Sequence, residues 1–313
     1  MNDEAAVRKR YAAAAQAKEK ALCCPVNYNT KYLEAIPEEV IDRDYGCGDP
    51  SQYLHEGETV LDLGSGSGKI CFIASQVVGP KGFVVGVDST DEMLELARRN
   101  APIVSKNIGH ANVEFRKGRI QDLALDFELL DAELANGSLS GLEGFLKVES
   151  IADRLRLDAP MIPSCSVDVV VSNCVLNLVA PSAKQQLFPE LFRVLKPGGR
   201  AVISDIVSSD DVPIHLQNDP QLWSGCISGA LREDRFLHAF VEAGFDQVQI
   251  LKREEMAWQH VGGIDFRSVT IKALKPTRET HLNIKDPKLS VHAKKSNLRA
   301  STSDCCSPDS SCC

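Results

Sequence analysis

No stretch of this sequence carries the roughly 20 consecutive apolar residues that a membrane-spanning helix takes, so a helical membrane protein is excluded. No basic block is present either. Lys and Arg total 35 against 43 Asp and Glu, a formal net charge of −8. That balance removes the electrostatic footprint of a nucleic-acid binder and points to a small or neutral substrate. The opening segment, "MNDEAAVRKRYAAAAQAKEKAL", lacks the apolar centre of a signal peptide and reads as a charged, Ala-rich amphipathic helix, so a cytoplasmic location is expected. CxxC pairs are also missing, which argues against a structural zinc site built on that local motif.

Cysteine itself is abundant, with eleven residues: Cys23, Cys24, Cys47, Cys71, Cys165, Cys174, Cys226, Cys305, Cys306, Cys312 and Cys313. In a reducing compartment such thiols serve soft-metal binding or redox chemistry, or are buried as small hydrophobes. The 313 residues, 43% of them hydrophobic, are enough for one large domain or two with a real core.

The pattern along the chain alternates. After a helix over 3–22 and a turn-rich connector through Gly46, Gly48 and Pro50, "TVLDLG" (59–64) and "GFVVGVD" (82–88) read as buried strands, with helices over 69–78 and 91–104 after them. "VEFRKGRI" supplies a third strand, "VDVVVSN" a fourth, "AKQQLFPELFRVL" a helix and "GRAVISDI" (199–206) a fifth. Strand alternating with helix predicts a doubly wound parallel sheet. Residues 124–163 interrupt the rhythm with a polar, partly helical insertion, read as a surface excursion or lid. Residues 208–275 read as helix-like segments ending in a strand, "SVTIKALK". From about residue 276 the composition predicts disorder. The expected division is therefore an N-terminal helix and connector (1–50), a central domain (51–206), a substrate region (207–275) and a tail (276–313).

Between the first strand and its helix lies "VLDLGSGSGK", with Gly64, Gly66 and Gly68 where a backbone passing close beneath a nucleotide needs residues without Cβ. The dinucleotide version of such a turn would carry a glycine where Lys69 stands. Asp88 ends the second strand, where a carboxylate can accept both ribose hydroxyls. Together with "RVLKPGGR" before the fifth strand, these residues resemble the S-adenosylmethionine (SAM) signature of class I methyltransferases over about residues 55–206. The fold class this implies is α/β, a Rossmann-like doubly wound sheet with an added substrate-binding region. The resemblance implies cofactor contacts from Asp62, Gly64, Ser65, Gly66, Asp88, Ser89, Ile120, Gln121 and Asn173, the last of these bonding the methionine moiety.

Three cysteines remain in unusual company: Cys47 in "DYGCGDP", Cys174 in "SNCVLNL" at the end of the fourth strand, and Cys226 in "LWSGCISGAL". Glycine-flanked cysteines make poor core residues. In this order around a SAM core, and with "IDFRSVTIKALK" near residue 264, they resemble the arsenite methyltransferase family over about residues 20–275. The resemblance implies trivalent arsenic held by thiolates of Cys47, Cys174 and Cys226, with arsenite and methylarsenite as substrates and methyl groups drawn from SAM. It also implies that Cys23, or its neighbour Cys24, pairs with Cys47 in a disulfide re-reduced by glutathione or thioredoxin. Soft thiolates suit a thiophilic centre, and coordination itself drives their deprotonation. Cys47, on its Gly-rich connector, is expected to be mobile. A monomer without nucleic-acid or membrane partners is expected. Two other readings explain less: a SAM-dependent methyltransferase of a small organic acceptor leaves the three thiols idle, and a metalloid-sequestering protein leaves the SAM signature idle.

Overall fold

The computed structural model describes residues 3–19, 26–135 and 140–277. Its sheet grows from the apolar runs: β1 (Thr59–Leu63), β2 (Phe83–Asp88), β3 (Val113–Lys117), β4 (Val167–Asn173) and β5 (Leu195–Ser208). These five are mutually parallel, as strands joined by helical crossovers must be. Residues alternate between two buried faces. Leu61, Leu63, Val85, Val87, Val170 and Ile203 share one core with α8 (Pro181–Val194) and α11 (Glu233–Glu242). Val60, Val84, Val169, Val171 and Val202 share the other with α4 (Lys69–Val78) and α5 (Asp91–Ile108). Burial on both faces explains why these strands read as continuous rather than alternating hydrophobic runs.

The strand order is β3-β2-β1-β4-β5-β8-β6, with β7 paired to β8. Chain direction from β1 therefore goes first one way and then the other, and the crevice between β1 and β4 is the switch point where this class of sheet binds ligands. Three further strands, β6 (Asp246–Arg253), β7 (Gln259–Val261) and β8 (Ile264–Leu274), extend the same sheet in antiparallel fashion. Only the last of them was expected. β6, "DQVQILKR", lies at the sheet edge with most of its side chains partly or fully exposed, so no hydrophobic run marks it. The helix-like reading of 208–275 holds only for α9 (Ile214–Gln217), α10 (Pro220–Ser224) and α11.

The N-terminal helix α1 (Asp3–Gln16) is shorter than its sequence suggests, and it packs on α5 and α10. Ala14 and Ala15 are buried there beside Tyr45 and Met93. Short helices α2 (Thr30–Leu33) and α3 (Glu38–Asp42) carry the connector along α4 and α5. The insertion folds into α6 (Phe127–Leu134) and α7 (Gly141–Asp158) around a small core of Leu125, Ala152 and Leu155. Its base is closed where Met161 and Ile162 donate their backbone N–H groups to Ala124 and Leu123.

Under β5 and β8 the packing is aromatic. The Phe240 ring meets Phe188, Phe236 and Phe245 edge-on at centroid distances of 4.9, 5.5 and 5.6 Å. Phe240→Ala should therefore lower unfolding stability by about 3–5 kcal/mol, read as a lower urea midpoint at unchanged m value; a loss below about 1 kcal/mol would mean that the cluster collapses to fill the void.

Candidate active site

The C-terminal ends of β1, β2 and β4 open into a cavity of about 410 Å³. Its floor is the turn after β1. Gly64, Gly66 and Gly68 all have positive φ, and a Cβ on Gly64 would lie 2.4 Å from the Val175 side chain. Gly64 and Ser65 donate their N–H groups to the Val87 carbonyl at 2.8 and 3.0 Å, which ties this turn to the end of β2. There the Asp88 carboxylate accepts from Gly66 N at 2.9 Å and Thr90 N at 2.8 Å. Enclosure raises its pKa, and those backbone bonds oppose the rise. Asp62 sits deeper, is pushed up to about 7 by burial, and accepts the Cys71 thiol at 3.1 Å. Ser89, Ile120 and Gln121 line the wall with Phe127 and Asp131 of α6, so the insertion contributes directly to the cavity. The Ser65 hydroxyl is buried without a hydrogen-bond partner among the described residues.

The side chain of Asn173, expected at the methionine end of a cofactor, is occupied elsewhere. Its Oδ1 accepts from Cys47 N at 2.9 Å and Gly48 N at 3.0 Å. Its Nδ2 donates to Gly48 O at 2.8 Å and the Tyr28 hydroxyl at 3.1 Å. These four bonds exhaust the amide's usual capacity, so Asn173 docks the connector onto the end of β4. The flanking glycines follow from this contact, since a Cβ on Gly46 would lie 2.0 Å from Asn173 Nδ2 and one on Gly48 2.6 Å from Ser204 Oγ. The Cys47 backbone is consequently tied to the end of β4. Its carbonyl also accepts the Ser268 hydroxyl at 2.6 Å.

All three cysteines are buried, together with Ile206, Ile227 and Phe266. This differs from the sequence expectation because the glycines beside Cys47 permit close approach rather than exposure. Cys174 and Cys226 both adopt left-handed backbone, at φ 64° and 63°. For a non-glycine residue this costs on the order of 1–3 kcal/mol and persists only where the surroundings enforce it. The Cys226 thiol donates to the Cys174 carbonyl at 3.2 Å. The Cys174 thiol lies between those of Cys226 and Cys47, and hydrogen bonding to both, with burial, raises its pKa well above the ordinary value. Burial raises that of Cys47. Both thiols are therefore protonated until a ligand displaces the protons. Cys174 opens onto the cavity; Cys71 and Cys165 lie outside the thiol cluster. Cys23, Cys24 and the four tail cysteines lie outside the described residues.

Several participants escaped the sequence reading. Lys69, at the position of the missing glycine, is buried, forms an ion pair with Asp44 and sits 3.6 Å above the Tyr28 ring centroid. Tyr11 of α1 lines the cavity and stacks edge-on against Tyr45 at 6.0 Å. Asp205, fully buried on β5, accepts from Leu176 N, Asn177 Nδ2 and Ile206 N at 2.9, 2.9 and 2.7 Å, and burial pushes it up to about 6. A charge inside an otherwise apolar run, Asp205 in "AVISDIVS" or Lys69 before "ICFIA", is the one signal that marked them, because such groups are rarely buried without a partner.

Comparison with known proteins agrees with this geometry. Residues 54–244 match the family described as "Methyltransferase domain". The chain is 39% identical over 247 residues to an arsenite methyltransferase of Halobacterium salinarum, covering 76% of this chain and 52% of that protein. It is 32% identical over 254 residues to the human arsenite methyltransferase, covering 79% and 58%. The chain thus spans a little over half the length of these curated relatives. Among solved structures, an arsenic(III) S-adenosylmethionine methyltransferase from Chlamydomonas reinhardtii superposes with a TM-score of 0.63 at 29% identity, covering 81% of this chain and 75% of that one.

Asn173→Ala would leave the buried N–H groups of Cys47 and Gly48 unpaired, at about 1–3 kcal/mol each. The connector over 26–50 should then be cleaved faster in limited proteolysis. Unchanged cleavage would show that Tyr28, Asp44 and Lys69 suffice to dock it.

Proposed function

We propose that this chain, which belongs to the methyltransferase-domain family, transfers the methyl group of S-adenosylmethionine to trivalent arsenic bound by Cys47, Cys174 and Cys226. The observation that carries this reading is the burial of three thiols in one cluster, of which Cys174 lines a cavity built on a glycine cradle. The relatives named above favour the same substrate.

The cavity suits the cofactor on its own chemistry. The unpartnered Ser65 hydroxyl, the left-handed Gly64 and Gly66, and the Asp88 carboxylate offer donors and acceptors where the methionine and ribose groups would lie. When bound, SAM supplies an electrophilic methyl group on a sulfonium centre. Asp88 would accept ribose hydroxyls, and Ile120 and Gln121 would flank the base. Asn173 contributes indirectly, by fixing Cys47.

The thiols do the rest. Each sulfur that replaces an arsenite hydroxyl loses its proton to that hydroxyl and releases one water, so the protonated state of Cys47 and Cys174 needs no separate base. Three sulfurs in a trigonal pyramid leave the arsenic lone pair opposite them as the nucleophile. Cys174, which belongs to both the cavity wall and the thiol cluster, brings the bound arsenic next to the cavity. The chain's contribution is alignment in a dry pocket, an effect worth up to about 7–11 kcal/mol of barrier. Regeneration by glutathione or thioredoxin through Cys23 or Cys24 belongs to the same reading.

Cys174→Ser or Cys226→Ser should reduce methylation of both arsenite and methylarsenite by more than about a hundredfold, because methylarsenite still requires the contacting pair. Cys47→Ser should abolish the first methylation and spare the second. An unimpaired rate with arsenite in Cys47→Ser would rule out three-thiolate binding. Asp88→Ala should weaken SAM binding in calorimetry by about 1.5–3 kcal/mol for each charge-assisted bond lost while leaving arsenite binding intact; equal SAM affinity would remove Asp88 from the site.

A further inference from the structure

Asp205 has no task in arsenic chemistry. Trivalent arsenic is satisfied by three sulfurs, yet the compact ligand set at this site is a different one. Cys47 Sγ, Cys174 Sγ and an Asp205 carboxylate oxygen lie within 4.8 Å of one another, and Cys226 falls outside that trio. The carboxylate is completely buried, held by three hydrogen bonds and aimed into the thiol cluster.

We propose that Cys47, Cys174 and Asp205 form a site for a divalent d10 cation, zinc or cadmium, that competes with trivalent arsenic for the two shared thiols. Two sulfurs and one oxygen around such an ion form the mixed donor set of a tetrahedral site with one open position. Zinc–sulfur bonds of about 2.3 Å place tetrahedral sulfurs about 3.8 Å apart, so the trio needs only a small contraction to close. The supporting shell already exists. Leu176 N, Asn177 Nδ2 and Ile206 N orient the carboxylate, as the outer partners of metal-ligating carboxylates do. Charge also matches: two thiolates and a carboxylate carry three negative charges, and the positive charge of Lys184 acts on Asp205. On binding, the two thiol protons leave to solvent and no electron is transferred. The cavity to which Cys174 is open provides access.

The proposal rests on Cys47 and Cys174 being free thiols, and not on arsenic being the substrate. Arsenic and the divalent ion need overlapping but unequal ligands, so two substitutions separate them. Cys226 is a ligand of arsenic alone, and the Asp205 carboxylate a ligand of the cation alone.

The test uses the full-length chain with Cys23, Cys24, Cys305, Cys306, Cys312 and Cys313 replaced by serine, so that thiols outside the described residues give no background. Cadmium chloride is titrated by its thiolate charge-transfer absorption, and arsenite in parallel. One equivalent of cadmium should bind. Asp205→Asn should weaken cadmium at least about tenfold and arsenite by a clearly smaller factor, while Cys226→Ser should weaken arsenite more than cadmium. Absence of the one-equivalent band, or cadmium affinity unchanged in Asp205→Asn, would overturn the proposal. Should Asp205→Asn lose SAM binding and hence its fold, X-ray absorption at the cadmium edge of the parent decides: two sulfurs with oxygen support it, and three sulfurs defeat it. Failure of the arsenic reading would appear separately, as no methylation of arsenite by a chain that still binds cadmium in this way.

Discussion

The site depends on one amide. Asn173, at the end of β4, uses all four of its side-chain hydrogen bonds to hold a segment 125 residues away in sequence. Buried N–H groups must find partners, and in a low-dielectric interior the penalty for missing one is what makes this contact decisive. Gly46 and Gly48 allow the approach, and the Lys69–Asp44 pair beneath Tyr28 closes the other side of the connector. The cluster is a consequence of packing between distant segments rather than of any local motif.

A second constraint is backbone strain. Cys174 and Cys226 hold left-handed conformations where glycine would be at ease, yet only a cysteine supplies a thiol there. The turn after β4 is held by Asp205 and Asn177, whose amide also reaches the carbonyls of Ile206 and Cys226. Gly229 lies so close that a Cβ there would be 1.9 Å from the Asn177 carbonyl oxygen. The buried carboxylate thereby joins β5, the Cys174 turn and the Cys226 segment into one unit. The same group that organises the turn is the oxygen donor left over beside two sulfurs.

The glycine turn and the thiol cluster are separate devices sharing one cavity. The first comes from the switch point of the parallel sheet, where the strand ends diverge and backbone N–H groups face outward. The second lies partly under the antiparallel extension, through Phe266 and Ser268 of β8. The region after β5 thereby contributes to the thiol side, through Cys226, Ile227, Ile264 and Phe266 in the buried cluster.

The amino-acid sequence by itself determined the five parallel strands and most helices between them, because burial on two faces forces long apolar runs and because glycine at positive φ leaves a local mark. The candidate cysteines were legible from the motifs around them. Edge strands β6 and β7 were not, since exposed strands carry no strong hydrophobic period. Nor were the contacts of Asn173, Lys69, Tyr11 and Asp205, or the hydrogen bonds that tie Cys47 to β4 and β8. These follow from meetings between residues far apart in sequence, 145 positions for Tyr28 and Asn173 and 221 for Cys47 and Ser268. Hydrogen bonding and burial at such separations are set by how layers pack, and local propensity carries no information about which polar group will face which. Tertiary structure alone decided that a glycine-flanked thiol would be buried, and that a carboxylate would stand beside it.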